Sequence, residues 1–120
     1  LARADVESEL IDQASTLLAS GYDRAAAVLA GAVLEEHLRS IAPSWTVAVH
    51  NAAGKALTLE PLNVELKKVG AYDGIMQKRI TLLGGVRNEA AHGNPFDGRT
   101  DEVRKLIRDV VDICGGVTTK

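Results

Sequence analysis

The run AAAVLAGAVL, from Ala25 to Leu34, is the longest apolar stretch of the chain and the feature that most constrains its fold. Coiled as a helix, ten residues reach only about 15 Å, half of what a bilayer core requires. The stretch stays apolar on most of its sides until Glu35, so protein must cover it from several directions. Asp23 is placed to cap this helix, which continues through RAAAVLAGAVLEEHLRSIA until Pro43 ends it. Gly31 in its interior costs about 1 kcal/mol against Ala, a cost that close approach of another helix would explain. A buried central helix calls for a bundle around it.

The rest of the chain supplies the covering elements. Val6, Leu10, Ile11, Ala14, Leu17 and Leu18 recur at helical spacing between Asp5 and Gly21. Residues 44–57 show no period and read as a loop. TLEPLNVELKKVG predicts a short helix capped by Thr58, with Pro61 in its first turn and Gly70 at its end. A further helix spans about 74–92, with Met76, Ile80, Leu83 and Val86 as its buried stripe and Gly93 closing it. Gly84 and Gly85 in its middle conflict with helix propensity, and such conflicts mark close packing or a functional constraint. NPFDG turns the chain. Thr100 then caps a last helix carrying Val103, Leu106, Ile107, Val110 and Cys114, with Gly115 and Gly116 closing it. The final residues, 116–120, are expected to fray. The prediction is a single all-α domain over 1–120, an antiparallel bundle of four to five helices with its core at about 22–114.

Charge and cysteine content bound the function. The net charge is −2, which argues against a protein that coats nucleic acid indiscriminately. Residues 1–54 carry three basic and seven acidic groups (−4), and residues 55–120 carry eleven basic and nine acidic groups (+2). A polyanion should therefore meet the C-terminal half. Cys114 is the sole cysteine, so no internal disulfide forms and a reducing cytoplasm is expected. No apolar run is long enough for a membrane span, and no charged-then-apolar leader opens the sequence. The chain begins at Leu1 rather than Met, which a processed product and an excised domain would both explain.

Most site chemistries lack their motifs. No phosphate loop, dinucleotide fingerprint or His-Glu-x-x-His is present. His37, His50 and His92 lie far apart, so spacing points to no metal site and no cofactor is expected. His37 and its neighbour Glu36 read as solvated surface. What remains is RNEAAHG, residues 87–93. Arg87 offers a permanently charged fork of donors suited to a phosphate or a phosphorane-like transition state. His92 is the side chain that moves protons near neutral pH, and a helix C-terminus favours its protonated form. Asn88 can orient either group. Such a set suffices to drive an RNA 2′-OH onto its neighbouring phosphate, leaving a cyclic phosphate. On an ideal helix Arg87 and His92 lie roughly 140° apart, whereas Asn88 and His92 lie about 40° apart. Either the helix turns at His92–Gly93 or a second copy completes the site. The bland alternative makes Arg87 a solvated helix residue and His92 a cap for the last carbonyls.

The motif resembles that of the HEPN superfamily, small helical bundles common in prokaryotic toxin, abortive-infection and antiviral systems, whose signature is Arg-x4–6-His with a polar residue after the Arg. RNEAAHG has that form. AAAVLAGAVLEEHLRSIA resembles the family's long early helix with its Leu-Glu pair, here Leu34 and Glu35. LNVELKKVGAYDGIMQKRITLLGGVRNEAAHG resembles the segment leading into the motif, and RTDEVRKLIRDVVDI the closing helix. The resemblance thus spans about residues 22–114. It implies a metal-independent endoribonuclease with its site at a homodimer interface, acting as a toxin or in antiviral defence, with an antitoxin or a larger defence protein as a further partner. It assigns Arg87 and His92 as the catalytic pair, Asn88 as their companion and Glu35 as an acidic residue brought near the site. Some members follow the histidine with x-Tyr, which serves in toxin neutralisation; Asn94 stands there instead and argues against an antitoxin of the nucleotidyltransferase type. RNA would be held locally by Lys78, Arg79, Arg99, Arg104 and Arg108. The alternative is a noncatalytic helical dimerisation or nucleotide-binding module of a larger protein.

Overall fold

A computed structural model describes residues 3–93, 95, 96 and 98–120. Five α-helices follow in order: α1 Arg3–Ala19, α2 Asp23–Ile41, α3 Leu59–Lys68, α4 Gly74–Ala91 and α5 Thr100–Gly116, with a 3₁₀ turn at Ala42–Trp45 after α2. The protein is an all-α helical bundle. None of its described helices is long and apolar enough to cross a membrane.

The apolar run on α2 dictates the layout. Ala26, Ala27, Ala30, Leu34, Leu38 and Ile41 have no exposed surface, and α1, α3, α4 and α5 all pack against this helix. The amphipathic stripe of α5, Val103, Leu106, Ile107, Val110 and Ile113, closes the core from one side. On α4, Ile80 and Leu83 are buried, with Met76 and Val86 packed at the core's edge.

The helix ends follow local chemistry at some points and tertiary contacts at others. Asp73 caps α4 by accepting the Met76 N–H at 2.9 Å. Gly93, at φ 73°, takes the left-handed conformation that lets the chain leave α4 after His92. Asp23 and Thr100 are not the caps the sequence suggests. Each is the first residue of its helix, and the two meet across the bundle, with the Thr100 hydroxyl donating to Asp23 Oδ2 at 2.7 Å. Thr58 does precede α3, but its side chain makes no capping bond. Glu35 of α2 caps α3 instead, accepting the Leu59 N–H at 2.9 Å.

Two further expectations are corrected. His37 is not solvated surface: it is 1% exposed. Its Nδ1 faces Glu7 Oε2 at 2.6 Å and its Nε2 faces the Val117 carbonyl at 2.5 Å. The segment after α5 does not hang free either. Val117 is buried, the Trp45 indole donates to the Thr118 carbonyl at 2.9 Å, and the Lys120 N–H donates to Ser44 Oγ at 3.0 Å. Between the 3₁₀ turn and α3, a small loop closes on itself through an antiparallel bridge between His50 and Ala56.

Candidate functional site

Gly31 determines where Arg87 sits. A Cβ built on Gly31 would lie 2.1 Å from Arg87 Cγ and 2.6 Å from Arg87 Cβ, so the stem of Arg87 occupies the space a side chain at 31 would need. The close approach of α2 and α4 therefore passes through this pair. Laid across α2, Arg87 brings Nη2 to 4.0 Å from Glu35 Oε1, and its Nη1 donates to Asn88 Oδ1 at 3.2 Å. Glu35 is far from solvated, with 17% of its side chain exposed. Its Oε1 holds the α3 N-terminus and its Oε2 accepts Arg39 Nη2 at 3.2 Å. Arg39 also donates to the Leu57 carbonyl at 2.7 Å and to Glu36 at 2.6 Å. Burial works against the Arg39 charge, but Glu36 and Glu35 outweigh it and raise the guanidinium above its ordinary value. Glu35 is thus a junction between α2, the start of α3 and Arg87 on α4.

Arg87 and Asn88 open onto a groove of about 400 Å³, lined also by Thr58, Leu59, Glu60, Thr81, Gly84 and Gly85. Gly84 is explained inside the chain: a Cβ there would lie 2.6 Å from Leu59 Cδ2. One wall is stiffened by a polar chain that sequence reasoning missed. The Tyr72 hydroxyl donates to Asn63 Oδ1 at 2.6 Å, and Asn63 Nδ2 donates to the Gln77 carbonyl and to Thr81 Oγ1. Thr81 Oγ1 in turn donates to the Glu60 carboxylate at 2.9 Å. Asn63 is fully buried. Burial, with the nearby Glu60 charge, pushes the Tyr72 phenol above its ordinary range. A buried Asn within a helical stripe was the available signal, because such a group must find partners.

His92 stands apart from this groove. It is the C-cap of α4, its N–H donating to the Asn88 carbonyl at 3.1 Å, and its exposed imidazole has no hydrogen-bond partner among the described residues. The end of α4 is steadied from outside: Arg24 of α2 donates to the Ala90 carbonyl, and Arg99 pairs with Glu89. Asn94 lies outside the described residues. The structure thus brings Glu35, Arg87 and Asn88 together within one chain and leaves His92 at the adjoining helix end.

The basic candidates for RNA contact divide into two groups. Arg79 pairs with Asp109 at 3.0 Å and Asp112 at 3.6 Å, and Arg104 pairs with Asp101. Arg99 is held between Glu102 and Glu89 with its guanidinium 4.5 Å above the Phe96 ring, and those two carboxylates raise its proton affinity. Lys78 and Arg108 are exposed and make no ion pair among the described residues. Comparison of the chain with protein-family models, curated proteins and solved structures finds no match.

Proposed function

We propose that this chain is a HEPN-type endoribonuclease domain that cleaves RNA by attack of a 2′-OH on the adjacent phosphate. The observation that carries the reading is the setting of Arg87: seated over Gly31, 4.0 Å from Glu35, with Asn88 beside it at the lip of a groove. The acidic residue that the resemblance associates with the site is the one that meets Arg87. In the reaction, His92 takes the 2′-OH proton and returns one to the leaving 5′ oxygen, while Arg87 offsets the charge of the phosphorane. Asn88 orients, and the products are a 2′,3′-cyclic phosphate and a 5′-OH. No metal takes part in these steps.

A second copy of the chain completes the site in this reading. Ile75 is 80% exposed and Leu82 67% exposed, and a seven-residue step sets them within about 20° of each other on α4. Gly85, Asn88 and His92 are exposed on the same helix. A Cβ at Gly85 would meet nothing in its own chain, so its cost of about 1 kcal/mol has no intramolecular reason. Close packing of a partner helix against the Gly85–Asn88–His92 side, whose three positions lie within about 60° with Ile75 and Leu82 at its flank, supplies one, and brings a second Arg87–His92 set to the same cleft. The biological setting that goes with this reading is a cytoplasmic toxin or antiviral-defence protein, with an antitoxin or a larger defence protein as partner.

The test is cleavage of single-stranded RNA in EDTA. Wild type should cut and leave cyclic phosphate ends. His92→Ala should abolish cutting without lowering the melting temperature, because the imidazole is exposed. Inert wild type across varied RNAs, or an equally active His92→Ala, overturns the proposal.

A second reading, a noncatalytic nucleotide-binding module, draws support from the groove itself, which has Arg87, Asn88 and the first turn of α3 but not His92 in its lining. On that reading a thermal-shift screen finds a nucleotide ligand whose affinity falls in Arg87→Ala, and no RNA is cut.

A further inference from the structure

Away from the Arg87 groove, three helices bring together three side chains of different chemistry. Glu7 comes from α1, His37 from α2 and Cys114 from α5, and one ligand atom of each lies within 4.8 Å of the others. Their separation in sequence hides the cluster completely. We propose that Glu7, His37 and Cys114 form a binding site for a borderline-soft divalent cation of the Zn²⁺ class.

The imidazole's surroundings carry the argument. The Val117 carbonyl can only accept, so His37 Nε2 bears a hydrogen and donates to it at 2.5 Å. A backbone carbonyl on the far nitrogen is the arrangement that orients a metal-binding histidine and leaves the other nitrogen to the metal. That other nitrogen, Nδ1, faces Glu7 Oε2 at 2.6 Å. Two such atoms approach this closely only with a proton between them, and a cation can take that proton's place. Cys114 adds a sulfur at the same point, and N, O and S donors together select zinc over calcium or magnesium, which take oxygen ligands.

The dimensions fit. Tetrahedral zinc with bonds of about 2.0–2.3 Å sets its ligand atoms about 3.4–3.6 Å apart. The Glu7–His37 pair must open by under about 1 Å, and any wider pair must close by a little over 1 Å at most. Glu7 retains 15% side-chain exposure and can adjust, whereas His37 is locked. A depression of about 240 Å³ lined by Ala4, Glu7, Ser8, Ile11, Val111 and Cys114 gives the ion a route in and leaves a fourth position for water. A thiol nucleophile is a poorer reading of the same residues, because both nitrogens of His37 are engaged and neither is left to act as its base. Bound metal would clamp α1 and α5 to the central helix at their common end.

The experiment titrates the full chain, stripped of metal and kept reduced, with Zn²⁺ against a chromogenic competitor, and in parallel with Co²⁺. Wild type should bind one ion per chain, show the near-ultraviolet charge-transfer band of thiolate-bound cobalt, and melt at a higher temperature with zinc. Cys114→Ser should lose that band, and both Cys114→Ser and Glu7→Gln should lose more than about tenfold in affinity, since even outer-shell changes cost that much. Circular dichroism of the metal-free variants verifies that they fold. Failure of wild type to bind stoichiometric zinc overturns the site, as does undiminished affinity in both folded variants.

Discussion

Gly31→Ala gives the sharpest test of how α2 and α4 meet. Considered as a helix residue alone, Ala in place of Gly should stabilise by about 1 kcal/mol. The structure opposes this. The new Cβ would stand 2.1 Å from Arg87 Cγ and 2.6 Å from Arg87 Cβ. A rotamer change can move Cγ, but Cβ is fixed to the α4 backbone, so the helices must separate by nearly 1 Å to restore ordinary contact. Overpacking of this kind costs about 1–3 kcal/mol. The net effect is a loss of about 1 kcal/mol, or about 4 °C in Tm for a chain of this length. Gly85→Ala is the matched control: the same residue change on a packed helix, with nothing in its own chain to obstruct it. It should raise the Tm of the monomer by about 4 °C. Thermal and urea unfolding at a concentration where sedimentation shows monomer would measure both. The Gly31→Ala penalty should shrink in an Arg87→Ala background, where Cγ is gone, without vanishing, because Cβ remains. A Gly31→Ala protein as stabilised as Gly85→Ala, or a penalty indifferent to Arg87, would refute the described contact. If Arg87 acts in RNA cleavage, Gly31→Ala should also lower that activity, because the guanidinium is pushed from its seat beside Glu35.

Two other perturbations probe parts of the bundle that sequence reading missed or misjudged. Tyr72→Phe leaves the buried Asn63 Oδ1 without its donor and should cost about 1–2 kcal/mol near neutral pH. The gap should narrow above pH 10: the unfolded chain releases the phenol proton near its ordinary value of 10.0, while the folded protein retains it, so wild type loses stability as pH rises. The slope is at most about 1.4 kcal/mol per pH unit, and less here because solvent screens a partly exposed phenol. A gap that stays constant to about one unit above that value would contradict the burial of the hydroxyl. Removing residues 117–120 deletes the buried Val117 and the carbonyl that holds His37. It should destabilise by about 2–4 kcal/mol in urea unfolding, whereas a frayed tail would be lost without effect.

The sequence by itself determined the helices. Apolar spacing at 3.6 residues and Gly93 after α4 act within a turn or two of the residues concerned, and local pattern is enough to read them, whereas the caps it suggests at Asp23 and Thr100 are drawn into their helices by the bond they make across the bundle. It also located RNEAAHG at the end of the penultimate helix, because a helix end is local too. The contacts between helices were decided only by tertiary structure. Glu35 caps α3 and approaches Arg87 because Gly31 lets α4 come close, and no periodicity records the rotation of one helix against another. Arg79, Arg99 and Arg104 looked available for RNA, yet each is paired with carboxylates, two of them in part across elements. Glu7, His37 and Cys114 each read as an ordinary position on its own helix. They meet because α1, α2 and α5 pack with particular faces inward, and the closing residues fold back to place the Val117 carbonyl on the imidazole. Helix formation depends on neighbours in sequence; the chemistry of a site depends on which helix faces are turned toward one another, and only the packed core sets that.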